Sequence, residues 1–510
     1  MTLRRMGWRF LLRMVNDMRT VWFRELCCYA ESDICQRMGV SWEKGRQVIE
    51  QLMNSNIMRR VRKRGALDGE VFPEDMDEIF TDDERYLTFT FVGILMLDDI
   101  VIRCYPKYLK HVEDGVRSET FNQVLAVIRK YEKTRDQHIV KAASGKQSDN
   151  QVSFLAVIME LIEQYQKNGF YRKQETIEEI NGMGDIDWEK TVHETQTLLS
   201  HGRPFYPDMY TKQSMWDEMN FFYCLHQCII SECFDVIEKA DLGDFLGIRS
   251  RYRFDIRRNV LGEDDYLLRR IEQELTRQFV TSKRQMLQLM HLYLTRQGKK
   301  KQSRLLFYGT NAMNLVWETA CGAVVGNQLQ IKVRNIQELA GEQLRSFPAK
   351  DKSLLQLIDR PEWVAEGCGI GEKKDTLIPD SIRIRKDADG RKMFAIYDAK
   401  YYNIVFTPNR VSGQPGIESI TKQYLYHLAY GALLKHFQIT RVQNTFLFPS
   451  ESGSKWLGRV TMPMLRDVTG TDVRSLALDA SMVFQYYLDD KELPIEDVVY
   501  HGYTYESPAS

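Results

Sequence analysis

Apolar and polar positions follow several different rhythms along the chain. Glu31 to Met38 has helical spacing, Gly39-Val40 reads as a turn, and Ser41 is placed to cap a second helix. That helix carries Val48, Ile49, Leu52 and Met53 on one face. A basic strand follows from Ile57 to Arg64, so the order predicts a winged helix-turn-helix. Asp68 to Glu84 holds nine acids and no basic residue, which suits a surface loop. Tyr86 to Leu97 alternates as one strand, Asp98-Asp99 turns, and Ile100 to Tyr105 forms a second strand ended by Pro106. The region from 116 to 300 reads as mainly helical, with an irregular interruption from Asn181 to Tyr210. Gly298 to Arg304 is basic and polar and marks a junction, after which helices and strands mix. The chain therefore divides into a helical, winged helix-turn-helix-like region (1–67), a β-rich region (68–115), a helical middle (116–300) and an α/β domain (301–510).

Composition narrows the options. Among 510 residues, 70 are Lys or Arg and 70 are Asp or Glu, so the formal net charge is zero. No whole-molecule field can steer a nucleic acid, and any such contact needs a local basic patch. A hydrophobic share of 43% suits a folded globular chain rather than a disordered one. Nine cysteines without a CxxC read as reduced thiols of a cytoplasmic protein. Cys224, Cys228 and Cys233, with His226 between them, lie in an apolar helical stretch and read as core rather than as a metal site. No run approaches the ~18 apolar residues of a membrane span, and Arg9 and Arg13 interrupt any signal-peptide core.

Candidate chemistry concentrates between Ile378 and Lys400. Asp387-Ala-Asp-Gly390 is a turn signal between two alternating runs, which predicts a β-hairpin. Strand alternation puts Ile378, Asp380, Ile382 and Ile384 on one face, with Ser381, Arg383 and Arg385 on the other. On the second strand Phe394, Ile396, Asp398 and Lys400 share a face. Asp380 and Asp398 are equally distant from Asp389, so a symmetric hairpin sets them opposite each other on an apolar face. Two facing carboxylates repel and resist desolvation. A shared proton, Lys400 or a divalent cation must compensate. Hard oxygen ligands suit Mg²⁺, with Mn²⁺ as a substitute. Asp380, Asp398 and the carbonyl of Ala399 could hold the ion, activate a water and stabilise charge on a phosphodiester. Lys400 would orient that water or neutralise the phosphorane.

Two flanking elements reinforce this reading. Asn311 to Ala320 reads as a helix in which Glu318 could add a third carboxylate. Ile420 to Leu434 reads as a helix that stacks Gln423, Tyr426 or His427, and Tyr430 on one side. Gln423 there could hydrogen-bond a metal-bound water or a phosphate. The strand Val442 to Phe448 would join the same sheet. Acidic helix, hairpin with Asp and Asp-x-Lys, helix and strand is the core order of the PD-(D/E)xK nucleases. The expected fold is thus a multidomain α+β or α/β chain whose C-terminal core is a mixed sheet flanked by helices.

The chain resembles the LlaJI family of restriction endonucleases, which is similar to the McrC subunit of McrBC-type systems. The resemblance rests on Phe91-Val-Gly-Ile94 with Ile102-Arg-Cys-Tyr-Pro-Lys-Tyr108, on Asp185-Ile-Asp-Trp-Glu-Lys-Thr191, and on Phe307-Tyr-Gly-Thr-Asn311 with Leu315-Val-Trp-Glu318. It also includes Leu377-Ile-Pro-Asp380 with Tyr397-Asp-Ala-Lys-Tyr-Tyr402. It implies a DNA-cleaving subunit of an antiphage restriction system, with double-stranded DNA as substrate and a separate McrB-like AAA+ GTPase as partner. Asp380, Asp398 and Lys400, with Glu318 and Gln423, match its catalytic positions. The chain has no GxxxxGK[ST] of its own, and Gly367 to Gly371 reads as a loop. One such site cuts one strand at a time, so a homodimer on DNA is expected. The segment from Phe91 to Tyr108 is expected to offer part of a surface for the motor. Basic runs at Arg59–Arg64, Arg249–Arg258 and Lys299–Arg304 read as solvated faces before they read as phosphate contacts. The competing readings are a non-catalytic DNA-binding scaffold with a degenerate nuclease fold, and an enzyme acting on RNA or another phosphodiester.

Overall fold

The computed structural model describes residues 19–61, 86–97, 100–110, 114–135, 154–172, 174–216, 221–240, 242–243, 245–246, 248, 257–299, 305–364, 371–373, 376–386, 390–407 and 410–500. The acidic segment, the Asp98-Asp99 and Asp387–Asp389 turns, residues 1–18 and most of the glycine cluster and basic runs lie outside these. The described residues form two compact units, one within 19–95, 102–136 and 309–510, the other within 96–101 and 137–308. No described helix is long and apolar enough to cross a membrane.

The larger unit opens with strand β1 (Arg19–Arg24), β2 (Tyr29–Ala30), helix α1 (Glu31–Met38), α2 (Trp42–Asn54) and β3 (Met58–Val61). Gly39 ends α1 at φ +64°, a left-handed conformation that glycine adopts without penalty. The Ser41 hydroxyl caps α2 by accepting the Lys44 N–H at 3.4 Å. Val48, Ile49 and Leu52 form the buried face, as the spacing predicts.

The run expected as one strand, Tyr86 to Leu97, is two. Strand β4 (Tyr86–Phe89) pairs with β2 and β3, whereas β5 (Val92–Leu97), followed by β6 (Ile100–Tyr105), lies in a different sheet. Thr90 sits at the break, where its hydroxyl donates to the Asn56 carbonyl at 3.2 Å. β5 is buried along its whole length, and Lys107 and Tyr108 are buried too. The described residues of this stretch are largely interior.

Helix α3 (Asp114–Arg135) completes this first part. In the smaller unit, α4 (Phe154–Asn168), α5 (Trp188–Glu194), α6 (Phe221–Lys239), α7 (Asp264–Arg277) and α8 (Thr281–Lys299) provide the helical content. The interruption is not irregular. It is built of strands β7 (Gln174–Ile180), β8 (Asp185–Ile186), β9 (Leu198–Ser200), β10 (Arg203–Phe205) and β11 (Tyr210–Trp216), in a three-stranded sheet and a hairpin.

The larger unit resumes with α9 (Met313–Val324), β12 (Ser381–Lys386), β13 (Lys392–Ala399), α10 (Ile417–Ala429), α11 (Gly431–His436), β14 (Arg441–Ser450), β15 (Lys455–Val460), β16 (Val473–Asp479) and α12 (Ala480–Leu488). Five strands make one mixed sheet in the order β12-β13-β14-β16-β15. The β13–β14 and β14–β16 pairs are parallel and the two outer pairs are antiparallel. Parallel strands need both faces covered. Met393, Ala395 and Tyr397 pack into one core with residues of α3, α9 and α12, including Val316, Trp317 and Phe484. Ile382, Ile384, Phe394 and Ile396 pack into another with Tyr426, Tyr430 and Phe437.

The face carrying Ser381, Arg383 and Arg385 is covered by α9. Ser381 and Arg385 are buried, and the Arg385 guanidinium donates to the Val325 carbonyl at 2.9 Å. The helix expected over 420–434 breaks at Tyr430. That side chain is buried against Phe394, with ring centroids 4.9 Å apart, and its hydroxyl donates to the Leu354 carbonyl at 3.1 Å.

Candidate active site

The site begins with the hairpin register. Ser381 lies opposite Tyr397 and Ile382 opposite Ile396, so the ladder, extended by one residue, sets Asp380 against Asp398. Asn327 fixes the start of β12: its amide donates to the Asp380 carbonyl at 2.9 Å and accepts the Ile382 N–H at 3.1 Å. The Asp380 carboxylate accepts the Ala399 N–H at 2.9 Å across the hairpin.

Electrostatics follow from this geometry. Burial, then the charge of Asp398 and a hydrogen bond shared with it, and then Glu318, push the Asp380 carboxyl up to about 8. Lys400 forms an ion pair with Asp398 at 2.9 Å. Burial alone would lower the Lys400 ammonium, but Asp398 outweighs it and the net shift is upward. Lys400 is therefore a cation here. Its backbone N–H donates to the Leu447 carbonyl at 2.9 Å and ties the end of β13 to β14.

Glu318 reaches the same place from α9. Trp317, the residue before it, is fully buried and donates its indole N–H to the Leu447 carbonyl at 3.2 Å. Gly322, one turn further, lets α9 approach β12, since a Cβ there would stand 3.1 Å from the Ser381 hydroxyl. Glu318, Asp380, Ala399 and Lys400 line one cleft of about 460 Å³. Asp398 is buried behind them.

Gln423 is placed differently. It is fully buried on α10, does not line the cleft, and its side-chain amide has no protein partner among the described residues. Its backbone carbonyl accepts the Asn444 amide at 2.8 Å. Tyr426, one turn on, does sense the site, since burial and then Asp398 and Asp380 raise its phenol.

The donor set is hard oxygen: the Asp380 and Glu318 carboxylates and the Ala399 backbone on the cleft, with the Asp398 carboxylate buried behind them. That chemistry fits a hard divalent cation. Among the described residues no group of three or more His, Cys, Asp or Glu side chains is arranged to hold a metal ion. His226 is enclosed by its helix packing and accepts the Tyr171 N–H at 3.0 Å.

The other wall of the cleft carries Arg59, from the first basic run, and residues that local pattern did not single out: Glu25, Thr90, Lys107, Tyr401 and Tyr402. Glu25 is buried; its carboxylate accepts the Tyr401 hydroxyl at 2.7 Å and the Lys107 N–H at 3.3 Å. The Lys107 ammonium lies 4.8 Å from the Tyr401 ring centroid and 5.5 Å from that of Tyr402. The signal for Lys107, Tyr401 and Tyr402 was that Ile102–Tyr108 and Tyr397–Tyr402 both belong to the resemblance.

The comparisons with known proteins agree with that signal. The family model described as LlaJI restriction endonuclease matches residues 91–480. A curated relative, the type II restriction enzyme BsuMI component YdjA of Bacillus subtilis (strain 168), is 27% identical over 430 residues, covering 82% of this chain and 85% of the relative. Among solved structures, McrC bound to McrB AAA+ hexamers in a half-complex from Thermococcus gammatolerans is similar at 13% identity and TM-score 0.36, over 92% of this chain and 99% of that one. The McrBC complex of the same organism is similar at 12% identity and TM-score 0.24, over 59% and 84%. Such scores mark a partial likeness only.

Proposed function

The chain belongs to the LlaJI restriction endonuclease family, and from that premise we propose that it is the DNA-cleaving subunit of a restriction system, a PD-(D/E)xK endodeoxyribonuclease dependent on Mg²⁺ or Mn²⁺. The observation that carries this reading is the hairpin register that sets Asp380, on the cleft, against the buried Asp398, with Lys400 ion-paired to Asp398. The sheet order, antiparallel hairpin then parallel strands with helices on both faces, is the one that PD-(D/E)xK chemistry uses.

A divalent cation held by Asp380, Asp398 and the Ala399 carbonyl, with Glu318 nearby, would supply Lewis-acid activation of water and of the scissile phosphate. The protein's own groups do the rest. Lys400, held protonated by Asp398, places a positive charge where the phosphorane develops and donates hydrogen bonds to it. The Ala399 N–H holds the Asp380 carboxylate in place. Double-stranded DNA is the proposed substrate, with a homodimer on DNA making the double-strand cut. An McrB-like AAA+ GTPase is the proposed partner, since this chain carries no phosphate-binding loop of its own. The cytoplasm is the proposed location.

Isothermal titration of Mg²⁺ or Mn²⁺ into wild type and Asp380→Ala, with plasmid cleavage followed in the same samples, tests the reading. Metal binding and cleavage lost together in the variant are expected. No binding and no cleavage in either protein, with or without the AAA+ partner, would favour the non-catalytic scaffold.

A further inference from the structure

The wall opposite the carboxylate pair comes from the start of the chain. Arg59 lies on β3, about 320 residues before Asp380, yet both line the same cleft. The strand exposes Arg59 and Arg60 and buries Met58 and Val61 at its ends. Neighbouring strand residues point to opposite faces, and only Arg59 of the two lines the cleft.

The cleft holds three cations, Arg59, Lys107 and Lys400. Two are engaged by the protein. Lys400 is ion-paired to Asp398. Lys107 lies over the Tyr401 and Tyr402 rings, and its charge is set against Glu25. Arg59 is the exposed cation of that wall. A second cleft shares Glu318 and Asp380 but lies on the side of Arg383 and Glu492. Arg383 there donates to the Gly326 carbonyl at 3.1 Å and pairs with Glu492 at 3.2 Å. An approaching anion meets a compensated arginine on that side and an open guanidinium on the other.

We infer that Arg59 binds the DNA backbone phosphate next to the scissile one, so that the N-terminal module completes the nuclease site. This rests on the nuclease reading above. A guanidinium presents paired N–H donors that match phosphate oxygens. It contacts backbone, not bases, so it positions the strand without selecting sequence. The exposed arginine run that looks like a solvated face thus divides, Arg59 serving the site and Arg60 facing elsewhere.

The test compares wild type, Arg59→Ala, Arg59→Lys and Arg60→Ala, all checked for folding by thermal melting. Plasmid cleavage with Mg²⁺ or Mn²⁺ is measured with and without the AAA+ partner. Binding to a labelled duplex is measured with EDTA at several salt concentrations. Arg59→Ala is expected to raise KM on the order of tenfold and to lower the salt slope of binding by about one, with kcat changed less. Arg59→Lys should recover part of the loss, and Arg60→Ala should match wild type. Equal cleavage and binding by Arg59→Ala and wild type would overturn the inference alone, as would equal losses in Arg59→Ala and Arg60→Ala. A wild type that never cuts DNA would overturn the nuclease reading and this inference with it.

Discussion

The helical unit and the mixed-sheet unit both bury ionisable groups, but they treat them in opposite ways. In the helical unit the Tyr171 hydroxyl donates to Glu274 at 3.0 Å and accepts from the Gln278 amide at 3.0 Å, while its N–H serves His226. Tyr293 donates to Glu232 at 2.8 Å. The acceptors in these contacts each meet a donor, although the His226 Nε2 is buried without a partner among the described residues. In the mixed-sheet unit two carboxylates face each other across the hairpin, and burial and mutual repulsion push the Asp380 carboxyl up. Complementary partners signal structure, whereas like charges opening on a cleft signal chemistry.

The sharpest way to break this contrast is to remove one member from each side. Asp398→Ala is expected to reduce plasmid cleavage by on the order of 10³-fold while circular dichroism stays that of wild type. Cleavage within threefold of wild type would mean the pair is structural after all. In the helical unit, Ile229 is fully buried on α6, and Ile229→Ala should cost about 2–5 kcal/mol in denaturant unfolding with unchanged cleavage per folded molecule.

Acid and base should act on the two units with opposite sign. Burial holds the His226 imidazole down at about 3 against its ordinary 6.5. Its folded form binds fewer protons than the unfolded chain, so this stability is fully present above 6.5 and is lost as pH falls toward 3. Asp380 is raised from 3.8 to about 8. Without a divalent cation, its contribution is present below 3.8 and is lost as pH rises through 8. Urea unfolding across this range should steepen on the acid side for wild type and flatten there in His226→Gln. A wild type with no acid sensitivity attributable to His226 would count against the buried neutral imidazole. The smallest effect is on the other side: Asp380→Asn removes the repulsion and should stabilise by about 1 kcal/mol above neutral pH, read from the same curves, while abolishing cleavage.

Some of this was legible in the chain itself. The hairpin register is local, and equal spacing from Asp389 sets Asp380 opposite Asp398 whatever packs around them. The α1–turn–α2 order was legible because Gly39 and Ser41 are chemically committed to the two helix ends. Other features depended on distant partners. Thr90 divides an alternating run because it bonds the Asn56 carbonyl, and Tyr430 ends a helix because it is buried against Phe394. Gln423 has the spacing of a site residue, and only packing shows that it is fully buried on α10 and does not line the cleft.

The sequence by itself determined the side-chain alternation, the carboxylate pair and the neighbouring lysine, since these follow from the period of a strand and the position of a turn. Only the tertiary structure decided that the face carrying Ser381 and Arg385 would be covered and that Glu25, Arg59 and Lys107 would meet Tyr401 and Tyr402 in one cleft. Contacts between residues some 300 positions apart depend on how whole faces pack, and no local period along the chain encodes them.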